Sequence, residues 1–173
     1  MATRKLFWGL FAIFVISAWV LGSAIQAGAE TLNYKFYTWV IKGDRTPIGD
    51  VEGHNLILHK RGAFCVFENG EVATYSNNVS TIDLVKGSGP FVTYTTMNFP
   101  DGSTITTKGQ GTVSGGSGGQ WGQWTSEIIK GTGRFEGIKG ALSGKIKYLP
   151  VEKEEAGPKG YGEGTITYTL PPK

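Results

Sequence analysis

The sequence contains few of the residues that form disulfides or bind metals. Among 173 residues there is one cysteine, Cys65, and there are two histidines, His54 and His59. A single thiol cannot form an internal disulfide, so packing must hold the fold together. The two histidines are five residues apart on a predicted strand and project to opposite faces, and no cluster has zinc spacing. The sequence therefore predicts neither a metal site nor a cofactor.

Net charge is also small. The full chain carries a formal charge of +3. Without Arg4 and Lys5, 15 basic side chains remain against 14 acidic ones, which leaves a net charge of +1. Because strong basicity is the electrostatic mark of nucleic-acid binding, no nucleic acid is expected as a partner.

The N-terminus has the form of a secretory signal. Arg4 and Lys5 precede an uncharged apolar run that ends in Ala27-Gly28-Ala29. This pattern predicts a signal peptide over 1–29, cleavage before Glu30, and export to the periplasm or the medium. An uncleaved anchor is the alternative, since the run approaches the ~20 residues that span a bilayer. The remaining residues, 30–173, suit a single domain with no further membrane contact.

Helical periodicity is scarce in that domain, whereas strand periodicity is common. In TITYTL, Ile166, Tyr168 and Leu170 share one face and the threonines between them share the other. Turn residues recur about every ten positions, and Asn69-Gly70 predicts a two-residue hairpin. The pattern favours an all-β antiparallel barrel over a sandwich. Ten strands are predicted, at 32–41, 54–60, 63–68, 71–77, 80–86, 90–98, 103–110, 122–130, 141–149 and 163–170.

The glycine-rich stretch IIKGTGRFEGIKGALSGKIKYL does not fit a nucleotide site. Gly131, Gly133 and Gly137 are spaced one residue too widely for a dinucleotide fingerprint, and an alternating strand follows instead of a helix. These glycines instead predict a compact chain reversal. We expect Phe135 and Ile138 to point inward from it and plug the barrel.

Three segments resemble the allene oxide cyclase-like and dirigent-like β-barrel family. SEIIKGTGRFEGIKGALSGKIKYL is similar to the family's glycine-rich turn and the strand after it. AFCVFENGEVATYSN and KGSGPFVTYTT are similar to two further cyclase strands. The resemblance covers roughly residues 60 to 150 and implies an eight-stranded, or slightly larger, antiparallel barrel with an apolar lumen. The chain looks closest to small exported bacterial members of unknown function.

The resemblance also implies candidate catalytic residues. Cyclases of this type act without a cofactor, by holding the substrate in position and excluding water. Cys65 matches the family cysteine, and Tyr94 matches the tyrosine of the T-Y strand. The family's glutamate is missing from the first strand, where Thr38 or Trp39 stands. An enzyme would therefore need a carboxylate from elsewhere in the chain, such as Glu52 or Glu68.

Aromatic side chains are numerous and suggest a binding lumen, although they could equally be ordinary core filling. The candidate ligand-binding residues are Tyr34, Phe36, Trp39, His54, Phe91 and Trp124. For His54 the pattern favours a surface histidine at a strand end over a site group, since lone polar residues are mostly exposed. The leading hypothesis is a non-catalytic barrel that binds a small hydrophobic molecule. The alternatives are a cofactor-free cyclase or isomerase, and a structural envelope protein that acts through its outer surface. A homo-oligomer is compatible with all three.

Overall fold

The computed structural model describes residues 28–116, 119–153 and 155–172, so the predicted signal segment lies outside it except for its last two residues. Eight antiparallel strands form a closed barrel in chain order, with β8 paired to β1. The strands are β1 (Glu30–Pro47), β2 (His54–Phe67), β3 (Val72–Val85), β4 (Gly89–Asn98), β5 (Thr104–Gly116), β6 (Gly119–Thr132), β7 (Lys139–Tyr148) and β8 (Gly160–Thr169). This architecture confirms the predicted all-β barrel. Among the described residues, no helix is long and apolar enough to cross a membrane.

The strands are fewer and longer than predicted because two expected breaks are β-bulges. Residues 54–60 merge with 63–68 into β2, and residues 71–77 merge with 80–86 into β3. The pairing of β2 with β3 shifts register between Lys60 and Phe64, and that of β3 with β4 shifts between Tyr75 and Asn77. A bulge bends and twists a strand without ending it. In the sequence, a bulge interrupts the alternation of apolar and polar residues and therefore looks like a turn between two strands.

The Asn69-Gly70 hairpin has a different turn from the one predicted. The amide of Phe67 donates to the carbonyl of Glu71 at 2.8 Å, and the amide of Gly70 donates to the carbonyl of Phe67 at 2.9 Å. Gly70 has a φ of 83°, whereas Asn69 does not have a positive φ. A two-residue type I′ turn needs positive φ at both central residues. The loop is therefore a three-residue turn closed by glycine.

A two-residue turn does lie between β3 and β4. Val85 and Ser88 exchange backbone hydrogen bonds at 2.9 and 3.1 Å. Between them, Lys86 has a φ of 50° and Gly87 a φ of 83°. These positive angles match the right-handed twist of the flanking strands, which allows a two-residue turn here.

The interior is filled by aromatic rings that lie against glycines of the neighbouring strand. A Cβ added at Gly144 would lie 2.6 Å from the Trp124 ring, a distance that side chains do not tolerate. The glycines therefore leave the space that large rings need inside a narrow barrel. The inward-facing cross-strand pairs are Tyr34–Gly164, Phe36–Gly162, Phe91–Gly111 and Trp124–Gly144.

Phe135 closes one end of the barrel, as the sequence predicted. It ends a single 3₁₀ turn, Gly133–Phe135, and its side chain is buried. Its ring centroid lies 4.8 Å from that of Phe99 and 6.3 Å from that of Tyr168. Gly133 and Gly137 have φ angles of 63° and 75°, which a residue with a side chain rarely adopts. The glycines thus allow the chain to reverse and direct the ring inward.

Arg134 covers this plug from outside. Its guanidinium lies 4.5 Å from the centroid of the Phe135 ring and 5.0 Å from that of the Phe99 ring. It also forms ion pairs with Glu71 and with Asp101. The charged group stays at the surface while it shields the two rings from water.

Replacing Phe135 by alanine should strongly destabilise the barrel. A buried Phe→Ala change typically lowers the free energy of unfolding by about 3–5 kcal/mol, because it removes apolar contacts and leaves a cavity. Chemical denaturation followed by circular dichroism measures the change. Phe64→Ala is the matched control, since Phe64 lies on the outer face and is 45% exposed; its effect should be about 1 kcal/mol or less. Equal losses from the two variants would contradict the plug.

Candidate functional site

The lumen has an apolar end and a polar middle. The apolar end is formed by the Phe135 plug together with Phe67, Phe99, Ile138 and other buried side chains. A second apolar cluster, Ile57, Ile82, Leu84 and Val113, lies on β2, β3 and β5 towards the opposite end. A cavity of about 80 Å³ lies inside the barrel and is lined by both aromatic and polar side chains. This cavity is the candidate site.

Arg61, on β2, is the only charged side chain that lines the cavity within the described residues. It is 8% exposed. Its Nε donates to the Thr38 hydroxyl at 3.2 Å, and its Nη2 donates to the Pro158 carbonyl at 2.8 Å. The guanidinium also lies 5.5 Å from the centroid of the Tyr148 ring. Burial lowers the pKa of Arg61, and the neighbouring tyrosines Tyr148 and Tyr75 oppose that effect. Arginine nevertheless remains charged at neutral pH.

A cluster of amide and hydroxyl groups lines the cavity beside Arg61. The Asn78 side chain donates to the hydroxyls of Thr95 and Thr93, at 2.6 and 3.1 Å. Ser80 donates to the Thr93 hydroxyl at 2.9 Å. These side chains, on β3 and β4, are all buried. Because burying polar groups is unfavourable unless they are hydrogen-bonded, this satisfied network fixes the polar wall.

Cys65 lies in the lumen next to Tyr75 and not next to Tyr94. Cys65 is fully buried, and burial raises the pKa of its thiol to about 12, although the Tyr75 hydroxyl opposes the shift. Burial also raises the pKa of Tyr75 well above its usual value. Both groups are therefore protonated at neutral pH, and neither is a ready base or nucleophile.

Tyr94 and Trp39 do not face the lumen. Tyr94 is 45% exposed and Trp39 is 39% exposed, both on the outer face of the barrel. Alternation along β4 turns Thr93 and Thr95 inward and therefore Tyr94 outward. On β1 the same alternation turns Thr38 and Val40 inward and Trp39 outward. The expectation that Tyr94 and Trp39 line the lumen is thus corrected.

The remaining aromatic candidates do face the lumen. Tyr34 and Phe36 are buried inward-facing residues of β1, and both line the cavity. Phe91 and Trp124 line it from β4 and β6. Phe36 and Trp124 meet edge to face, with ring centroids 5.4 Å apart. The cavity therefore has an aromatic wall as well as a polar one.

His54 lies at the start of β2, outside the cavity, where it bridges two aspartates. Its Nδ1 is 2.5 Å from Asp50, and its Nε2 is 2.7 Å from Asp83. The hydrogen bond to Asp83, and next the one to Asp50, raise the pKa of His54. This arrangement fastens the loop before β2 to β3.

His59 has the opposite environment. It is buried on the inner face of β2, and within the described part of the chain its Nδ1 has no hydrogen-bond partner. Burial lowers the pKa of His59 to about 4, and the positive charges of Arg61 and Arg45 add to the effect. His59 is therefore neutral at physiological pH.

The two suggested carboxylates do not reach the cavity. Glu52 is exposed in the loop before β2. Glu68 is exposed on the β2–β3 turn, and its side chain accepts hydrogen bonds at 3.0 Å from both the backbone amide and the side-chain amide of Asn33. Among the residues that line the cavity, none is aspartate or glutamate.

A larger hollow, of about 1240 Å³, runs around the outside of the barrel. Outward-facing side chains such as Lys35, Gln110 and Ser143 form its sides. Its floor is the backbone of the inward-facing residues that lie between these side chains. It is an open groove on the wall and is distinct from the lumen, so we place the candidate site in the smaller internal cavity.

Sequence reasoning missed several residues of the polar wall, above all Arg61 and Asn78. The signal for Arg61 was present, because period-two alternation from Ile57 through His59 places it on the same face. Asn78 follows the bulge in β3. Before the bulge the odd-numbered residues, such as Tyr75, face inward, and after it the even-numbered residues, such as Asn78, do. A shift of one residue turns each following side chain to the other face. Alternation without the bulge position therefore could not place Asn78.

The fold has counterparts among solved structures, although no family model matches the sequence and no curated protein gives a sequence match. The pterocarpan synthase dirigent protein GePTS1 superposes with a TM-score of 0.53 at 14% identity, over 84% of this chain and 92% of its own. A second, PsPTS1, gives 0.53 at 16% identity, over 84% and 97%. The chain has the dirigent-like barrel fold. The prediction from the glycine-rich turn is thereby confirmed.

A bacterial protein shares this dirigent-like barrel. It is a protein of unknown function from the DUF3224 family of Shewanella oneidensis MR-1, with a TM-score of 0.50 and 14% identity, over 84% of this chain and 100% of that one. At such identities the likeness establishes the fold alone. Function must therefore be argued from the cavity of this barrel.

The pKa values of the two histidines should be shifted in opposite directions from the usual value of about 6.5. We expect NMR of the imidazole carbons to give a midpoint above that value for His54 and near 4 for His59. Because the folded-state pKa of His54 is raised, its contribution to stability is complete below the unfolded pKa and is lost as the pH rises through the folded pKa. Asp83→Asn should move the His54 midpoint downward and leave His59 unchanged. Identical midpoints for both histidines would contradict the described environments.

Proposed function

We propose that this protein is a non-catalytic binding barrel that holds a small hydrophobic molecule in its lumen. The observation that carries the proposal is the internal cavity of about 80 Å³, bounded on one side by Phe36, Phe91 and Trp124. Ligand sites are commonly concave and largely apolar, with a few fixed polar groups that orient the ligand. The polar wall around Asn78 supplies such groups.

The cavity volume restricts the ligand to compact molecules. A cavity of about 150 Å³ holds benzene, and this cavity is about half as large. Long acyl chains and multi-ring phenolics are therefore much larger than the space available. For this reason, and because its sequence identity to the structural neighbours is low, we do not propose pterocarpan synthase activity for this protein.

A cofactor-free cyclase or isomerase, the enzyme alternative, has weaker support. General acid–base catalysis needs a group whose pKa lies near the working pH, within reach of the substrate. The raised pKa of the Cys65 thiol is far from neutrality. Tyr94, the other matched residue, lies on the outer face. Binding without chemistry therefore agrees better with the cavity.

Export to the periplasm or the medium is part of the proposal. It rests on the sequence of residues 1–29, where two basic residues, an apolar run and a small-residue cleavage site follow one another. A binding barrel in that compartment would meet small molecules from outside the cell.

A second candidate role uses the outer surface of β1 to β4. The exposed side chains there include Tyr37, Trp39, Phe64 and Tyr94, with Tyr37 directly opposite Phe64 and Val79 opposite Tyr94. The ring centroids of Tyr37 and Trp39 lie 6.2 Å apart, and adjacent exposed aromatics on a sheet are typical of an association surface. The partner suggested here is a second copy of the chain, either as a structural assembly or in addition to ligand binding.

The binding proposal is tested by recovering the ligand and by filling the cavity. Gently purified protein should yield one compact molecule per chain by mass spectrometry, and adding that molecule back should raise the melting temperature by several degrees. Ser126→Leu should abolish both effects, because Ser126 lines the cavity and a leucine would occupy it.

Ser143→Leu is the matched control. Ser143 is exposed on the outer face of β7, one position from Leu142, the residue paired with Ser126. This variant should keep the ligand. Protein that is always recovered empty and gains no thermal stability from compact apolar molecules would overturn the binding proposal.

Self-association through the outer face is tested separately. Sedimentation velocity should show an oligomer for the wild type and a monomer for Trp39→Ser/Tyr94→Ser, because these substitutions remove apolar area from the association surface. Phe135 and the cavity are untouched, so circular dichroism should remain native. A monomeric wild type at high concentration would remove this second role.

A further inference from the structure

We propose that Arg61 makes the lumen selective for anions, and that the ligand is a compact monocarboxylate. Its carboxylate would meet the guanidinium, and its apolar part would lie against the aromatic wall. The inference rests on the proposed function, since it names the chemical class that the cavity accepts. It adds a specificity-determining residue that neither the composition nor the fold implies.

The guanidinium of Arg61 has hydrogen-bonding capacity that the protein does not use. Nε and Nη2 each donate one bond, to the Thr38 hydroxyl and the Pro158 carbonyl. Within the described residues Nη1 makes none, and both groups that are bonded are neutral. A buried charge is unfavourable where the described residues supply no counterion, so an arriving anion would be strongly stabilised.

The other walls of the cavity favour the same type of ligand. Of the described residues that line the cavity, none carries a negative charge that would repel a carboxylate. Thr107 on β5 and Ser126 on β6 are buried hydroxyls that line the cavity from the side opposite β2. Their hydroxyls and the guanidinium can donate to an anion, and charge-assisted hydrogen bonds are about twice as strong as neutral ones.

Charge and volume together favour a monocarboxylate over a phosphate group. The guanidinium fork suits both carboxylate and phosphate. However, the cavity offers one cation and an aromatic wall, so a single negative charge joined to a small apolar group complements it best. At about 80 Å³ the cavity suits a very short acid such as acetate better than an aromatic one.

Arg61 could instead serve only to fasten the segment before β8 through the Pro158 carbonyl. The two roles make different predictions. A purely structural arginine would affect the free energy of unfolding without distinguishing an anion from its neutral analogue. An anion-binding arginine sets the ratio of the two affinities.

The test compares acetate with acetamide, which has nearly the same shape and no charge and is small enough for the cavity. Isothermal titration calorimetry and thermal shift on the full chain should show that acetate binds about tenfold or more tightly than acetamide. Arg61→Gln should lower the acetate affinity to that of acetamide and leave acetamide within about threefold of wild type. Arg134→Gln, at the plugged end of the barrel, is the matched control and should keep the preference.

Each outcome decides one of the two proposals. Equal binding of acetate and acetamide by the wild type would overturn the role of Arg61 and leave the binding lumen intact. If neither compound binds, and the purified protein also holds no molecule, both proposals fall. Should Arg61→Gln not fold, Arg61→Lys keeps the charge without the fork; it should still prefer acetate, with a preference smaller than that of the wild type. Loss of all preference in a folded Arg61→Lys protein would contradict a charge-based site.

Discussion

The interior of an eight-stranded barrel is just wide enough for its own side chains, and this constraint governs the whole molecule. Large rings fit only where the facing residue of the neighbouring strand is glycine, which has no side chain. Tyr34, Phe36, Phe91 and Trp124 each lie against a glycine for this reason. The 27 glycines of the chain therefore do more than form turns, since several of them create the space that the core occupies.

The same constraint explains why the cavity lies where it does. At the Phe135 end, rings and aliphatic side chains pack into one apolar cluster. In the middle, threonine, serine and asparagine replace them, and these smaller side chains leave space. Small polar residues contribute less to stability than the apolar side chains that could occupy the same positions. The plug and the aromatic–glycine pairs thus provide the stability that allows the middle of the barrel to be polar.

Much of the fold could be read from the sequence, whereas the composition of the lumen could not. Alternation and turn spacing predicted antiparallel strands, and the glycines around Phe135 predicted the closed end. The faces were harder to assign, because on β1 both sets of alternating residues are apolar: Tyr34 and Phe36 face inward, and Tyr37 and Trp39 face outward. On β4 the tyrosine of the T-Y motif lies outside and its threonine neighbours lie inside. Such choices depend on register and on bulges, which a single sequence does not reveal.

The inward and outward faces are hardest to assign from the sequence of β2. Hydrophobicity alone would turn Leu56, Leu58, Phe64 and Val66 inward, yet they are the exposed set. The buried set contains His59 and Arg61. The same face also carries Ile57, Ala63, Cys65 and Phe67, but burying Arg61 and His59 costs free energy that apolar side chains at those two positions would not. Where a natural sequence breaks the local rule without a gain in packing, function is the expected cause. The inward arginine and the outward leucines of one strand thus agree with the two roles that we propose, one inside the barrel and one outside it.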